Sequence, residues 1–426
     1  MEIYLGLGSN QGDRRAALTT ALDALEQCGV RVSHISPLVE SPALLPDGAP
    51  KEWNLPFLNV VAACDTDHAP ERVLELGKRI EVELGRNNCE RWSPRPVDID
   101  ILLWGNEQIS TEAITIPHPS LHERNFVLTP LIALDPRLTI PGLGTNTVLE
   151  WSLKLKQHIP LWMGIVNITP DSFSDGGEFL HWEQVDAQVE RMVDAGGQII
   201  DLGAESTRPG ALPLRADDEW SRLAPILEQL IDKYRNHRIR PRVSVDTYHT
   251  DTARRALALG ADIINDVGGL ASPDMLELAS NSSADWVAMH QLSLPADPAR
   301  VLPADCDPSA TVEQWLERQL ESWERAGIDL HRIIFDPGIG FGKDALQSLR
   351  LLRDVGRFRR HGVRCLVGHS RKSFLTPMVQ NDQLSKDMAT VGASMQLAAQ
   401  GVDILRVHDV PANIAAYNGW AHLAPM

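Results

Sequence analysis

Apolar and polar positions divide the first hundred residues into short and long segments. Short apolar runs predict strands at 2–7, 30–39, 57–64 and 97–104. Two longer stretches carry apolar residues at helical spacing, 13–27 and 70–84, and a glycine follows each of them. The resulting order, βαββαβ, is typical of an α+β sandwich of the ferredoxin-like type.

A second pattern begins near Leu161 and continues almost to the end of the chain. Its apolar runs lie at 161–166, 198–203, 242–246, 262–265, 286–289, 332–335, 363–367 and 403–407. Helical stretches separate many of them, for example 183–195, 218–234, 249–258, 312–326 and 385–400. Strands that alternate with helices in this way predict a (β/α)8 TIM barrel, in which functional side chains gather at the carboxyl ends of the strands. We therefore expect two domains, 1–155 and 160–426, joined within VLEWSLKLKQHIP at 148–160.

Composition narrows the possible partners. The chain has 426 residues, of which 57 are acidic and 40 basic, and its formal net charge is −17. This balance argues against broad binding to nucleic acid or to an anionic membrane and leaves room for a local basic pocket. Five scattered cysteines without a CxxC pair, no secretory signal and no long apolar span predict a soluble cytoplasmic protein with free thiols.

The segment GLGSNQGDRR follows the first strand and begins a helix. A dinucleotide-binding fingerprint would need glycine at position 11, which is Gln11, so that interpretation is poor. A glycine turn with a capping Asn or Ser explains the motif equally well when it is taken alone.

RWSPRPVDIDILLWG is more informative. In a strand, Asp98 and Asp100 lie on one face, and aspartate is disfavoured in strands unless it has a role. Magnesium prefers such hard oxygen ligands and shares its remaining positions with nucleotide phosphates. Arg91 and Arg95 precede the pair, and guanidinium groups suit phosphate oxygens. The competing interpretation is a solvated strand face with ordinary ion pairs.

Together with GSN, FLNVV, RIEVELGR and IPHPSLHERNFVL, this segment makes residues 1–150 resemble the hydroxymethyl-dihydropterin pyrophosphokinase family. The resemblance implies transfer of pyrophosphate from ATP to a 6-hydroxymethyl-dihydropterin, with Mg²⁺ on Asp98 and Asp100 and release of AMP. It places along the ATP path Glu81, Arg86, Arg91, Arg95, Thr115, His118 and Arg124. It places around the pterin Ser41, Leu44, Phe57, Asn59 and Phe126. Asn88, Ser93 and Pro96 depart from the family pattern.

Polar motifs follow most of the predicted barrel strands. They are NITPDSFSDGG, ESTRPGA, VDT, NDVGG, DPGIGFGK, GHSRKSF and RVHD. DPGIGFGK is not a P-loop, because that motif needs glycine at Pro337 and Ser or Thr at Asp344. SRKS, taken alone, is compatible with a solvated basic turn. The concentration of polar residues at strand ends nevertheless predicts an active site at one mouth of the barrel.

In combination these motifs make residues 160–420 resemble dihydropteroate synthase, which joins 4-aminobenzoate to a dihydropterin pyrophosphate. The resemblance assigns pterin contacts to Asp246, Asn265, Asp336 and Lys372, and pocket walls to Met289, Phe341 and Gly368. It assigns Mg²⁺ to Asn167, pyrophosphate to Arg406 and His408, and the aminobenzoate site to Phe173, Thr207 and Arg208. Leu375-Thr376-Pro377 departs from the family, in which a glycine commonly follows SRKSF.

We therefore expect one chain with two consecutive activities, carried by Asp98, Asp100, Arg91 and Arg95 in the first half and by Lys372, Arg406 and His408 in the second. Two alternatives remain open for the second half. A pterin-binding methyltransferase would share the barrel, although no D-x-H-x-x-G cobalamin motif follows. A degenerate paralogue would serve only as a binding partner. Synthase barrels are commonly dimers, so we expect a homodimer through the barrel.

Overall fold

The computed structural model describes residues 1–86, 90, 92–168, 178–206, 212–379 and 382–423. The chain divides into two compact units, Met1–Ile159 and Pro160–Met426. None of the described helices is both long enough and apolar enough to cross a membrane. Four of the cysteines lie in the described part of the chain, and all four are free thiols.

The N-terminal unit is an antiparallel sheet covered by helices. Its elements are β1 (Glu2–Ser9), α1 (Arg14–Gln27), β2 (Val30–Ile35), β3 (Val39–Ser41), β4 (Phe57–Thr66), α2 (Pro70–Glu83), β5 (Asp98–Trp104), β6 (Ile109–Ser110), β7 (Thr115–Ile116), α3 (Asn125–Leu134) and α4 (Val148–Ser152). The strand order is β2-β4-β1-β5, with β3 also paired to β4. Counting β2 and β3 together, this is the ferredoxin-like α+β arrangement, and the predicted fold of the first half is confirmed.

One predicted strand, 30–39, is in fact two. β2 ends at Ile35 and β3 begins at Val39. Pro37 stands in the gap and has no N–H with which to continue the ladder. The hydroxyl of Ser36 accepts from the N–H of Val61 over 2.9 Å, so the adjacent strand still finds a partner at the break. The interruption turns β3 so that Ser41 can face the cavity described below.

The C-terminal unit is a closed barrel of eight parallel strands, as predicted. Its elements are β8 (Leu161–Asn167), α5 (Glu178–Asp194), β9 (Ile199–Gly203), α6 (Ala216–Tyr234), β10 (Arg242–Asp246), α7 (Thr250–Leu259), β11 (Ile263–Asp266), α8 (Pro273–Ser280), β12 (Asp285–Met289), α9 (Pro308–Arg325), β13 (Ile333–Asp336), α10 (Ala345–Arg353), β14 (Arg364–Val367), α11 (Gln383–Ala399), β15 (Ile404–Val407) and α12 (Val410–Leu423). Almost every strand residue is buried, which explains why the strands are continuous apolar runs.

Charged side chains close the amino-terminal end of the barrel. Asp285 begins β12 and accepts two hydrogen bonds from Arg364, each 2.8 Å, and one of 2.5 Å from Arg242. Burial alone would raise the pKa of Asp285, but the two guanidinium groups hold it at about 2. The three residues lie at the starts of their strands, opposite the mouth that carries the polar motifs. Their position indicates a stabilising role.

Candidate functional sites

A cavity of about 380 Å³ opens in the N-terminal unit. Residues predicted to contact the pterin line it, namely Ser41, Leu44, Phe57, Asn59 and Phe126. Residues predicted to bind metal or ATP also line it, namely Arg86, Arg95, Asp98, Asp100, His118 and Arg124. Residues distant in sequence therefore meet in one hollow. Lys78 and Trp92 line the same cavity and were not predicted. For Lys78 the reason is that a lysine on an amphipathic helix gives no sequence signal of its own.

Asp98 and Asp100 lie on one face of β5, while Ile99 between them is buried on the other. Asp98 accepts hydrogen bonds from Arg86 over 2.5 Å and from Arg95 over 3.2 Å. Burial raises the pKa of Asp98, but the arginines prevail and hold it below its usual value. Burial and the neighbouring charge of Asp98 raise the pKa of Asp100 to about 6. Because the charge of Asp98 makes Asp100 harder to ionise, a cation bound between them would stabilise both carboxylates in the ionised form.

The donor set fits Mg²⁺. Both side chains offer hard carboxylate oxygens toward the cavity. Among the described residues there is no group of three or more His, Cys, Asp or Glu side chains that would enclose a metal ion. A Mg²⁺ ion on Asp98 and Asp100 would therefore complete its shell with water and phosphate oxygens, as this ion commonly does.

Glu81 and Thr115 are not among the residues that line the cavity. Glu81 is buried, and its carboxylate accepts from the N–H of Ile99 over 2.8 Å and from Arg86 over 2.5 Å. It holds Arg86 from behind and has no open face for a ligand. Thr115 is exposed on β7.

The part of the cavity that is predicted to contact the pterin is built from β3 and β4. The side-chain amide of Asn59 donates to the carbonyl of Val39 over 3.1 Å and to the hydroxyl of Ser41 over 3.0 Å. A Cβ atom at Gly8 would come within 3.4 Å of both Asn59 and Phe57. The glycine therefore keeps the floor of the cavity open beside the aromatic ring.

His118 has a defined tautomer. The N–H of Ser120 donates to its Nδ1 atom over 3.2 Å, which leaves the proton on Nε2. Burial and the charge of Arg124 lower the pKa of His118, so the ring is neutral near pH 7. A neutral imidazole at the cavity wall then offers one N–H donor.

The second site lies at the carboxyl ends of the barrel strands, where Arg406 is central. Its Nε donates to Asp201 over 2.6 Å, and its Nη2 lies 2.5 Å from a carboxylate oxygen of Asp246. Asp201 also accepts from Ser244 over 2.6 Å and from Asn265 over 3.2 Å. Sequence reasoning missed Asp201. The available signal was an aspartate inside the buried run IIDLG.

Electrostatics distinguish the two carboxylates. Burial raises the pKa of Asp246 to about 7, opposed by Arg406 and reinforced by the charge of Asp201. The same two carboxylates raise the pKa of Arg406, so its guanidinium stays charged. Asp246 can therefore change protonation near neutral pH, whereas Arg406 cannot.

Asp336 ends β13 and accepts from the N–H of Gly338 over 2.7 Å. Burial raises its pKa. Gly338 has φ +67°, and a Cβ atom there would overlap the carbonyl oxygen of His290. Lys343 joins the same two segments, since its ammonium donates to the carbonyls of Gly338 and His290 over 2.9 and 3.0 Å. This buried lysine was not predicted, and it fixes the loop that follows Asp336.

The remaining predicted residues border this mouth. The ammonium of Lys372 lies 4.3 Å from the ring centre of Phe341, and Met289 and Phe341 belong to one buried cluster. A Cβ atom at Gly368 would lie 3.9 Å from Asp336 and 3.8 Å from Arg406, so this wall stands directly beside both. Two further residues lie at the carboxyl ends of strands. His408 directly follows β15, and its Nδ1 lies 2.9 Å from the hydroxyl of Ser370, while Asn167 is the last residue of β8. Arg91, Phe173, Thr207 and Arg208 lie outside the described residues.

Two family models match the chain. The model of 7,8-dihydro-6-hydroxymethylpterin-pyrophosphokinase matches residues 4–136, and that of the pterin binding enzymes matches residues 163–408. A folate synthesis bifunctional protein of Chlamydia muridarum is 38% identical over 442 residues, which cover 98% of each chain. A mitochondrial folate synthesis bifunctional protein of Arabidopsis thaliana is 33% identical over 466 residues, covering 97% of this chain and 82% of its own.

Solved structures match the second half. Dihydropteroate synthase of Anaplasma phagocytophilum with bound 6-hydroxymethylpterin-monophosphate is 37% identical with a TM-score of 0.56, covering 62% of this chain and 99% of its own. That of Xanthomonas albilineans with 4-aminobenzoic acid is 35% identical with a TM-score of 0.56, covering 62% and 94%. The chain therefore belongs to the family of bifunctional folate synthesis proteins, which pyrophosphorylate 6-hydroxymethyl-7,8-dihydropterin with ATP, releasing AMP, and condense the product with 4-aminobenzoate to 7,8-dihydropteroate and pyrophosphate.

Proposed function

We propose that the N-terminal cavity holds the dihydropterin and ATP side by side, with the reacting groups meeting at Asp98 and Asp100. The observation that carries this proposal is the pair of carboxylates on one face of β5, flanked by Arg86 and Arg95. The pterin lies against Asn59 and between the rings of Phe57 and Phe126. A flat heterocycle suits such a slot.

In this reaction the hydroxymethyl oxygen of the pterin bonds to the β-phosphorus of ATP. The bond from that phosphorus to the oxygen bridging the α-phosphate breaks, AMP leaves with the bridging oxygen, and the hydroxyl proton is released. Asp98 and Asp100 would hold Mg²⁺, which would supply charge neutralisation at the phosphates. Arg86, Arg91 and Arg95 hold the phosphate oxygens in position for in-line attack.

The ends of the nucleotide have their own partners. His118 donates its Nε2–H to the ATP, and Arg124 contributes a charge beside it. Glu81 acts by holding Arg86, with which it shares a hydrogen bond of 2.5 Å. Thr115 is proposed as a further ATP contact. It is exposed on β7 and does not line the cavity.

Asp98→Ala tests the first site. It should abolish AMP formation from ATP and hydroxymethyl-dihydropterin, because one of the two metal ligands is lost. Synthase activity should stay at the wild-type level when dihydropterin pyrophosphate is supplied, which controls for folding. AMP formation at the wild-type rate in the variant would show that Asp98 is not a metal ligand.

At the barrel mouth, Asp336 accepts two parallel N–H bonds from the 2-amino pyrimidine edge of the pterin, a geometry that carboxylates favour. Asp246 and Asn265 bind its other polar edge, and Lys372 binds its carbonyl side. Met289, Phe341 and Gly368 form the walls of this pterin pocket.

The pyrophosphate and the aminobenzoate occupy the outer part of the mouth. Arg406 and His408 hold the pyrophosphate, and the carbon–oxygen bond to it breaks as positive charge spreads into the pterin. The amine of 4-aminobenzoate then bonds to the methylene carbon and loses a proton. Phe173, Thr207 and Arg208 build the aminobenzoate site. A Mg²⁺ ion on the amide oxygen of Asn167 would supply charge neutralisation, and this donor suits the ion.

The two reactions are consecutive, so one assay tests both. Hydroxymethyl-dihydropterin, ATP, Mg²⁺ and 4-aminobenzoate should yield dihydropteroate with one AMP and one pyrophosphate for each product molecule. Omission of Mg²⁺ should stop the sequence at its first step. Dihydropteroate formation that continues without Mg²⁺ would contradict the proposed metal.

We also propose that the two functional domains are 1–155 and 160–426, with residues 156–159 as the join. The division into compact units between Ile159 and Pro160 supports this boundary. We propose a homodimer through the barrel, which sedimentation of the full chain tests, and a cytoplasmic location, which the free thiols support.

A further inference from the structure

Lys78 is a cation at the wall of the N-terminal cavity that has no role in the scheme above. It lies on α2, and its ammonium donates to Glu81 over 2.8 Å. The side chain of Lys78 is 48% exposed, whereas that of Glu81 is 2% exposed. Because the N–H of Ile99 also fixes Glu81 over 2.8 Å, the carboxylate is a rigid anchor. The lysine is thereby oriented but not enclosed.

The charges around Lys78 differ in how fully they are paired. Asp98 is held by two arginines. Asp100 lies one pleat further along β5, where its backbone pairs with β1, and its carboxylate makes no hydrogen bond or ion pair with any described side chain. The side chains of Lys78, Asp98 and Asp100 line the same cavity. The lysine therefore contributes directly to the electrostatic field where the phosphates are proposed to bind.

We propose that the ammonium of Lys78 contacts the phosphate chain of ATP in the pyrophosphokinase reaction and strengthens its binding. This rests on the proposed role of Asp98 and Asp100. An ammonium has three N–H donors, and Glu81 accepts from Lys78 in a single hydrogen bond. The four-carbon stem lets the head turn toward a polyphosphate without breaking the backbone of α2. A nucleoside triphosphate carries more negative charge than one Mg²⁺ neutralises, so an additional cation at this wall stabilises it.

The competing role is purely structural: Lys78 would only neutralise the buried Glu81. The two roles predict different ligand dependences. A phosphate contact changes the affinity for ATP and leaves that for adenosine unchanged. A structural role changes both, together with pterin binding and thermal stability, because Glu81 also holds Arg86.

The test is calorimetric titration of the full chain with α,β-methylene-ATP and Mg²⁺, an analogue that cannot be cleaved between the α- and β-phosphates. Lys78→Met should raise its Kd about tenfold or more, as for a lost charged hydrogen bond, and Lys78→Arg should stay within about threefold. Arg79→Met is the matched control. Arg79 is the next residue of α2, is 49% exposed and pairs with Glu83, and its loss should leave the Kd within about twofold.

Adenosine affinity and synthase activity should be unchanged in all three variants. An unchanged analogue Kd in Lys78→Met would overturn the inference, as would an equal loss of affinity for adenosine. Asp98→Ala separates this from failure of the site itself. If that variant still forms AMP, the phosphate site is elsewhere. If it is inactive while Lys78→Met binds normally, only the role of Lys78 is wrong.

Discussion

Replacing Asp201 by Asn removes a charge from the buried centre of the barrel mouth and preserves the shape of the side chain. In the wild type, Asp201 accepts from Arg406 over 2.6 Å, from Ser244 over 2.6 Å and from Asn265 over 3.2 Å. Two of these donors, Arg406 and Asn265, are proposed to touch the substrate. An amide at position 201 can accept from only some of these donors, so their orientation is loosened.

The magnitude follows from the bond to Arg406. A hydrogen bond to a charged group contributes roughly 1.5–3 kcal/mol, and each ~1.4 kcal/mol is tenfold in rate. We therefore expect the synthase kcat/KM of Asp201→Asn to fall by roughly 10- to 150-fold. The fold itself should survive, because removing Asp201 also relieves its repulsion of Asp246.

The pH profile gives a second, independent readout. The pKa of Asp246 is about 7, and the negative charge of Asp201 is one of its causes. Asp246 is proposed to bind a polar edge of the pterin, and we expect its ionised form to do so as a hydrogen-bond acceptor, so wild-type kcat/KM should fall as the pH decreases through about 7. Without Asp201 the pKa of Asp246 decreases, so this acid limb should move to lower pH.

The assay follows dihydropteroate formation from supplied dihydropterin pyrophosphate and 4-aminobenzoate between pH 5.5 and 8.5, a range of about three units around neutrality. Ser244→Ala is the matched control, since it removes one hydrogen bond to Asp201 and keeps the carboxylate. AMP formation by the first half reports on sample integrity. A variant with kcat/KM within about twofold of wild type and an unmoved acid limb would refute the positioning role.

Three further outcomes follow from the structure. Asp285→Ala should cost about 3–5 kcal/mol, because the buried Arg364 and the partly buried Arg242 lose their carboxylate partner, and calorimetry should show a clearly lower melting temperature than for the exposed Asp251→Ala control. Lys372→Gln should lower synthase kcat/KM by roughly one to two decades with AMP formation unchanged. If both activities of the variant stay at the wild-type level, Lys372 is a solvated lysine that does not contact the pterin. Sulfonamides should raise the apparent KM for 4-aminobenzoate without changing kcat, as expected for flat anilines that compete for its site; an unchanged KM would contradict this.

The hydrophobic pattern was sufficient for the barrel because its strands are buried on both faces. Each of its eight strands overlaps an apolar run visible in the sequence. The alternation of strands and helices was predicted, but the ranges of α8, α10 and α12 were not. The first two are short, at 8 and 9 residues, and α12 is apolar on most sides, so its periodicity is weak. In the N-terminal unit, Pro37 broke a predicted strand that was otherwise uniform.

The sequence showed polar motifs at strand ends, and Asp246 and Asp336 end their strands within two of these motifs, while their roles came from the family resemblance. The resemblance also supplied Asn265 and Arg406, which lie inside strands, but not Asp201. Asp201 is the third residue of the five in β9 and is flanked by Ile200 and Leu202. Its partner Arg406 is 205 residues away in sequence, so only closure of the barrel reveals why a carboxylate is tolerated there.

Both sites share one electrostatic arrangement, seen within each unit separately. In the first, Arg86 and Arg95 rest on Asp98; in the second, Arg406 rests on Asp201 and Asp246. Each arginine is thus charged and held in place before a phosphate group arrives, so part of the entropy cost of ordering a long side chain is met during folding. Because the carboxylates compete with phosphate for each guanidinium group, they lower the affinity of each arginine for phosphate. That competition favours release of AMP and pyrophosphate, which an uncompensated cluster of arginines would retain.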